Sequence, residues 1–309
     1  MRKLLLCLMF SSVCAQADHY VELRGGFGFG ELTYEDDDDW YDDNTLDVNT
    51  LDFVGKFYFY GASAERGPIA ELGFLSQSPY MQLSLSQTSK DDSTNFYADR
   101  DINEQSFGGR FIFPDVPLFI GGAWVDESFE YSSGFERERQ GYRIEFGGYV
   151  SDSSALWVER IASEIDMSSL NGTRDETTTT INYKHINVLG GRKSLVWTLQ
   201  FEESDAFDLI SFAERRSIGG AIKFYVTEKI GFGAGMRMDD YTLNYSEAGS
   251  GIDVSGAVFT PEFSYDFDDN IGMYVNARSE AIIVEYSNSF GSDETISEVI
   301  FRIGLTGRF

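Results

Sequence analysis

The chain has two cysteines, Cys7 and Cys14, and both fall within its first 17 residues. Everything beyond them lacks a disulfide, a thiolate metal site and a cysteine nucleophile. Histidine is almost as scarce, with His19 and His185 alone. Five prolines and no Pro/Ser-rich stretch leave no visible domain boundary. Basic residues are few, 24 against 51 acidic ones, for a formal charge of −27. Phosphate binding needs a basic surface, so nucleic acid is excluded as a partner. Beyond the first 17 residues no run of about 18 apolar residues occurs, so no transmembrane helix is expected.

What is present begins with a leader. "MRKLLLCLMFSSVCAQA" has a basic start at Arg2 and Lys3, an apolar run from Leu4 to about Val13, and a small-x-small close at Ala15-Gln16-Ala17. This reads as a cleaved secretory signal peptide over 1–17, too short to span a membrane. Residues 18–309 then form a single domain with 22 basic and 51 acidic residues, a charge of −29.

Along that domain the apolar residues recur every second position. Val21, Leu23, Phe27 and Phe29 alternate with Glu22, Arg24 and glycines. Tyr142, Ile144, Phe146 and Val150 alternate with Arg143 and Glu145. Ile218, Ile222 and Phe224 alternate with Lys223 and Tyr225. On a strand, successive side chains point to opposite faces, so each segment has one greasy face and one polar or small one. Fourteen such segments can be drawn, from Tyr20–Gly30 to Ser297–Phe309, with 12 or 16 as neighbouring counts. Tight connections such as "PDVP", "SDSS" and "TEKI" alternate with long polar stretches: Glu31–Asn49, Lys90–Glu104, Asp126–Glu138, Glu164–Glu176 and Glu202–Arg216. The segment from Gly61 to Pro79 reads as a long turn with some helical character. The fold expected is all-β, a transmembrane up-and-down antiparallel barrel with tight periplasmic turns and long external loops. A soluble sandwich would hide the same faces, but the strand lengths, the export signal and the Phe and Tyr near strand ends favour the barrel.

The last strand, "ISEVIFRIGLTGRF", places Phe301, Ile303, Leu305 and the terminal Phe309 on one face. It resembles the C-terminal strand of Gram-negative outer-membrane barrels, with Gly307 where a bulky residue is usual. The resemblance covers this strand and the leader. It implies location in the outer membrane, contact with lipid and lipopolysaccharide, and recognition of the last strand by the barrel-assembly machinery. "GPIAELGFL" (Gly67–Leu75) is similar to a segment of porins from marine proteobacteria.

If the apolar alternates face lipid, the others line the interior. That set contains Arg24, Lys56, Arg110, Arg143, Lys223, Arg237, Arg278 and Arg302, with Glu22, Asp52, Glu145, Glu262, Glu280 and Glu298 as acids. The near balance sends the excess of acid to loops and turns. The function expected is passive diffusion of small hydrophilic solutes through a polar lumen. Its wall would be Arg24, Lys56, Arg110, Arg143, Glu145, Lys223, Arg237, Arg278, Glu280 and Arg302, with Glu145 and Glu280 as partners of the cations. The alternative is a non-channel barrel serving adhesion, structure or ligand binding. No cofactor is implied. The acidic run Asp36, Asp37, Asp38, Asp39, Asp42 and Asp43 offers a weak Ca²⁺ or Mg²⁺ site and a bridge to lipopolysaccharide, though it lacks the glycine of an EF-hand. No catalytic set is found: Asn187 stands where a barrel phospholipase would need a serine beside His185, so an enzyme is not expected.

Processing after Ala17 predicts a mature chain that begins at Asp18, which intact-mass measurement on membrane-extracted protein will check.

Overall fold

A computed structural model describes residues 20–36, 44–59, 68–92, 99–132, 134–167, 173–189, 192–208, 211–244, 251–286 and 294–309. The leader and Asp37–Asp43 lie outside these. Fourteen antiparallel strands close into one barrel in which each strand pairs with its sequence neighbours and β1 meets β14. They are β1 (Tyr20–Asp36), β2 (Asn44–Tyr58), β3 (Tyr80–Asp92), β4 (Arg100–Ile112), β5 (Leu118–Tyr131), β6 (Glu136–Ser151), β7 (Ser154–Met167), β8 (Thr173–Leu189), β9 (Lys193–Asp208), β10 (Ser211–Tyr225), β11 (Ile230–Asn244), β12 (Gly251–Asp266), β13 (Ile271–Tyr286) and β14 (Glu294–Arg308). Closure is sealed by Val21 and Phe309, whose N–H groups donate to each other's carbonyls at 2.8 and 2.9 Å.

The register sets the barrel's size. Following paired residues around the wall from Glu22 ends at Asp36 on the same strand, a shear of 14 residues. Fourteen strands with that shear tilt by about 35° and enclose a backbone cylinder of about 13 Å radius.

Alternation divides the side chains as the sequence implied. Phe27, Phe107, Phe146, Ile222, Phe232, Phe259, Phe301, Ile303 and Leu305 are exposed on the outer face. On β14 the apolar stretch from Phe301 to Phe309 spans about 22 Å of barrel height at that tilt, close to a hydrocarbon core. Gly307 sits within it, and a Cβ there would lie 3.0 Å from the Phe309 ring, which folds across the gap. The missing bulky side chain is thus replaced by the terminal ring.

One expectation is corrected. The long external loops are largely strand. β1 continues to Asp36, β9 to Asp208 and β10 begins at Ser211, so the connections at that end are two to seven residues long. Period-two patterning fades there because neither face needs to be greasy above the membrane, yet the backbone keeps pairing to satisfy its N–H and C=O groups. Much of the acid therefore stands on strands: Glu31, Asp47, Asp101, Glu138, Glu164 and Glu203 are exposed on the outer face beyond the apolar belt. Tyrosine occurs on both faces. Tyr142 is exposed outside, while Tyr58, Tyr149, Tyr225 and Tyr274 are buried on the inward face. Their phenols serve the barrel interior, where polar partners exist.

The β2–β3 connection enters the barrel. A 3-10 turn (Ile69–Glu71) runs into a single helical turn (Leu72–Leu75). Ala70, Phe74 and Leu75 pack on Ile186, Val196 and Tyr225, and Phe74 also meets Phe119, Tyr149 and Ala155. At the tight-turn end, Asn270 and Ile271 donate backbone N–H bonds to Asp268 at 2.7 and 2.8 Å, holding its carboxyl below the usual range.

Ile222 faces outward near the middle of the apolar belt. Ile222→Arg is expected to cost about 2–4 kcal/mol of stability in lipid, read by urea titration of vesicle-folded protein. An unchanged midpoint would place that face in water.

Candidate functional site: the charged lumen

Inside the barrel, charge is concentrated and mostly paired. Arg110 (β4) donates two bonds to Glu145 (β6) at 2.6 and 2.8 Å, with its guanidinium 4.0 Å from the centre of the Phe119 ring. Gly121 lies between the two strands, and a Cβ there would overlap the Glu145 carboxylate. A glycine at that position thus lets a bidentate pair form across β5. Asp239 (β11) accepts from Arg215 at 3.0 Å and from Arg237 at 2.9 Å, and is almost fully buried. Arg139 (β6) reaches Glu127 at 3.4 Å and Glu176 at 3.3 Å. Arg308 meets Asp266 at 2.7 Å, Lys223 meets Glu262, and Arg278 meets Glu280.

Several contacts cross a wider arc of the wall. β1 shows three inward glycines, Gly26, Gly28 and Gly30. A Cβ on Gly26 would overlap the Tyr274 hydroxyl, and one on Gly28 would come within 2.8 Å of Arg302 and Thr50. Side chains from both flanks therefore lean over β1. Tyr274 (β13) donates to Asp52 (β2) at 3.1 Å, and the Arg24 guanidinium stacks 3.8 Å from the Tyr274 ring centre. Towards the external end Lys90 (β3) pairs with Glu298 (β14) at 2.6 Å, and Arg100 (β4) donates to the Tyr34 hydroxyl at 2.5 Å. These bonds narrow the lumen on the β14–β4 side.

At the tight-turn end the segment from Pro68 to Ser78 seats against the wall. Glu71 accepts from Lys184 (β8) at 2.5 Å and from the Tyr225 hydroxyl at 3.5 Å. The Lys184 ammonium lies 4.8 Å from the Phe74 ring centre. Ile69 donates its N–H to the Glu228 carbonyl at 3.2 Å, tying the segment to the β10–β11 turn. Gly73 abuts the Tyr58 ring so closely that any Cβ would overlap it.

The ten interior residues named from sequence all fall on the inward face. Two pairs come together, Arg110 with Glu145 and Arg278 with Glu280. Arg143 does not pair with Glu145. Its partner is Glu159, at 3.9 Å. Lys56 stands 5.3 Å from the Tyr80 ring centre. Among the described residues Arg302 meets no carboxylate within 4 Å, and its Nε is buried without a hydrogen-bond partner. Sequence reasoning missed Glu71, Glu159 and Lys184. β7 and β8 carry apolar residues on both faces there ("ALWVERI", "INYKHINV"), so alternation gave no face to assign.

Of the acidic run, Asp36 ends β1 and Asp37, Asp38, Asp39, Asp42 and Asp43 lie outside the described residues. No group of three or more potential metal ligands occurs among the described residues. His185 pairs with Trp197 across β8–β9 and contacts Asn187, with the Tyr183 ring stacked beside it. Its register puts it on the outer face with Ile181 and Leu199, away from the lumen.

No family model matches the sequence, and no curated protein matches it. Solved structures do. A deletion mutant of the monoaromatic hydrocarbon channel TodX aligns with a TM-score of 0.52 at 8% identity, over 96% of this chain and 91% of its own. The monoaromatic hydrocarbon channel CymD gives 0.51 at 9% identity, over 93% and 88%. A FadL homologue of Pseudomonas aeruginosa gives 0.50 at 10% identity, over 94% and 90%. Identities this low speak for the backbone and leave the chemistry open. With an apolar belt outside, charge inside and every strand paired, the chain has the fold of the Gram-negative outer-membrane β-barrel proteins.

Proposed function

We propose that this chain is an outer-membrane channel for passive diffusion of small hydrophilic solutes, constricted at its periplasmic end by the Pro68–Ser78 segment. The observation that carries the reading is the exposure of inward charges midway along the wall. The side chains of Arg143, Arg237 and Arg278, and of Glu262 nearer the tight turns, are 30 to 34% accessible, so the charged lining leaves room for water inside the belt. A lumen serving stability alone would pack these groups to the burial of Arg308 or Asp239. Interspersed cations and anions would hydrate polar solutes of either sign and give weak ion selectivity. The lipid belt and terminal strand fit a location in the outer membrane, with lipid and lipopolysaccharide around the barrel and the assembly machinery reading Phe301, Ile303, Leu305 and Phe309. A Ca²⁺ or Mg²⁺ bridge from the acidic external end to lipopolysaccharide belongs to the same reading.

The seated periplasmic segment and the cross-wall bonds of Lys90 and Tyr274 favour a second reading, a non-conducting barrel whose external surface does the work. Planar-bilayer recording separates the two. Discrete current steps with a reversal potential near zero in a salt gradient are expected from the first. Silence from folded protein would leave the second.

If Glu71 and Phe74 hold the constriction, Glu71→Gln with Phe74→Ala should raise single-channel conductance severalfold or add open-state flicker. Conductance unchanged from the parent would move the constriction elsewhere along the lumen.

A further inference from the structure

One ion pair in the lumen differs from the rest. Among the described residues, every other inward arginine or lysine that meets a carboxylate holds one at 3.4 Å or less. Arg143 and Glu159 stand 3.9 Å apart, beyond hydrogen-bond reach, and their side chains are 30% and 20% accessible. They sit at a recess of the inner wall bounded by Tyr80, Gln82 and Ser106 on one side and by Glu145 on the other. Its floor is Gly108, Gly109, Gly122 and Ala123, where the wall carries almost no side chain. Two other polar groups of the recess are already engaged: Glu145 accepts at both oxygens from Arg110, and the Gln82 amide donates to Ser84 at 2.8 Å.

We propose that this recess binds small zwitterionic solutes of the α-amino acid class, with Arg143 receiving the carboxylate and Glu159 the ammonium. The reading rests on a water-filled lumen and names what that lumen selects. A side-by-side cation and anion that do not close on each other present a dipole with free hydrogen-bonding edges. A solute with one carbon between its carboxylate and its ammonium matches it head to tail and completes a ring of four alternating charges. The ring is neutral, so occupation brings no net charge into the low-dielectric wall. A singly charged solute would pair with one group and leave the other exposed to the same field. The guanidinium fork binds a carboxylate through two parallel bonds, which fixes the solute's orientation. The glycine floor leaves depth for the backbone-like end of the solute, while the Tyr80 ring and the Gln82 amide limit its width.

The test is equilibrium dialysis of radiolabelled alanine against the folded full chain in detergent micelles. One saturable site is expected, displaced by unlabelled alanine or glycine and untouched by sodium acetate or ethylammonium chloride at equal concentration. Arg143→Gln and Glu159→Gln, each verified as folded by heat-modifiable gel mobility, should each weaken retention at least tenfold. No saturable retention by the parent chain, or equal displacement by acetate or ethylammonium, overturns the proposal without recourse to any variant. Retention unchanged in both folded variants overturns it as well. Dialysis needs no current, so a silent bilayer would refute the channel and leave the site standing, while a conducting barrel without retention would refute the site alone.

Discussion

Hydrocarbon offers a peptide group no hydrogen-bond partner, and the rest of this structure follows from that constraint. Every N–H and C=O of fourteen strands must find its complement on a neighbour, and the last strand must return to the first. The reciprocal bonds between Val21 and Phe309 complete the cycle. Once the backbone is satisfied by closure, side chains are released from any duty to hold strands together. Parity alone decides their surroundings: Phe301 and Ile303 meet lipid, and Arg302 between them meets the interior.

The interior then faces its own problem, because a cylinder of this radius is too wide for neighbouring side chains to fill and too narrow to ignore their charges. The solution is graded along the axis. Near the tight turns, aromatic rings and the Pro68–Ser78 segment build a small apolar core, and Glu71 at its edge is met by Lys184. Further along, glycines replace side chains at places where two long ones meet over an intervening strand, as at Gly121 beneath Arg110 and Glu145 and at Gly26 beneath Tyr274 and Asp52. A glycine in a strand interior costs conformational entropy. Here it gives room for bonds that span three or more strands.

Much of this was legible in the sequence. Fourteen strands, both termini at one end, and the inward face of Arg24, Lys56, Arg110, Arg143, Lys223, Arg237, Arg278 and Arg302 all follow from period-two alternation, a local property. What alternation cannot supply is who meets whom. Glu71 and Lys184 are 113 residues apart, and Lys90 and Glu298 are 208 apart. Such pairs depend on the accumulated shear of the whole wall. Alternation also falls silent where both faces are alike. On β7, Trp157 and Val158 are both apolar, so Glu159 had no face. Above the membrane both faces are polar, so the outer ends of β9 and β10, Glu202–Arg216, looked like one long loop.

The polar ends of the strands also shape what the cell surface presents. Because the strands continue past the lipid, the described part of the outer end is hydrogen-bonded sheet set with carboxylates such as Glu138, Glu164 and Glu203. Along those paired strand ends a protease finds no free backbone to thread into its cleft. Side chains on that paired backbone can change while the sheet that presents them stays the same.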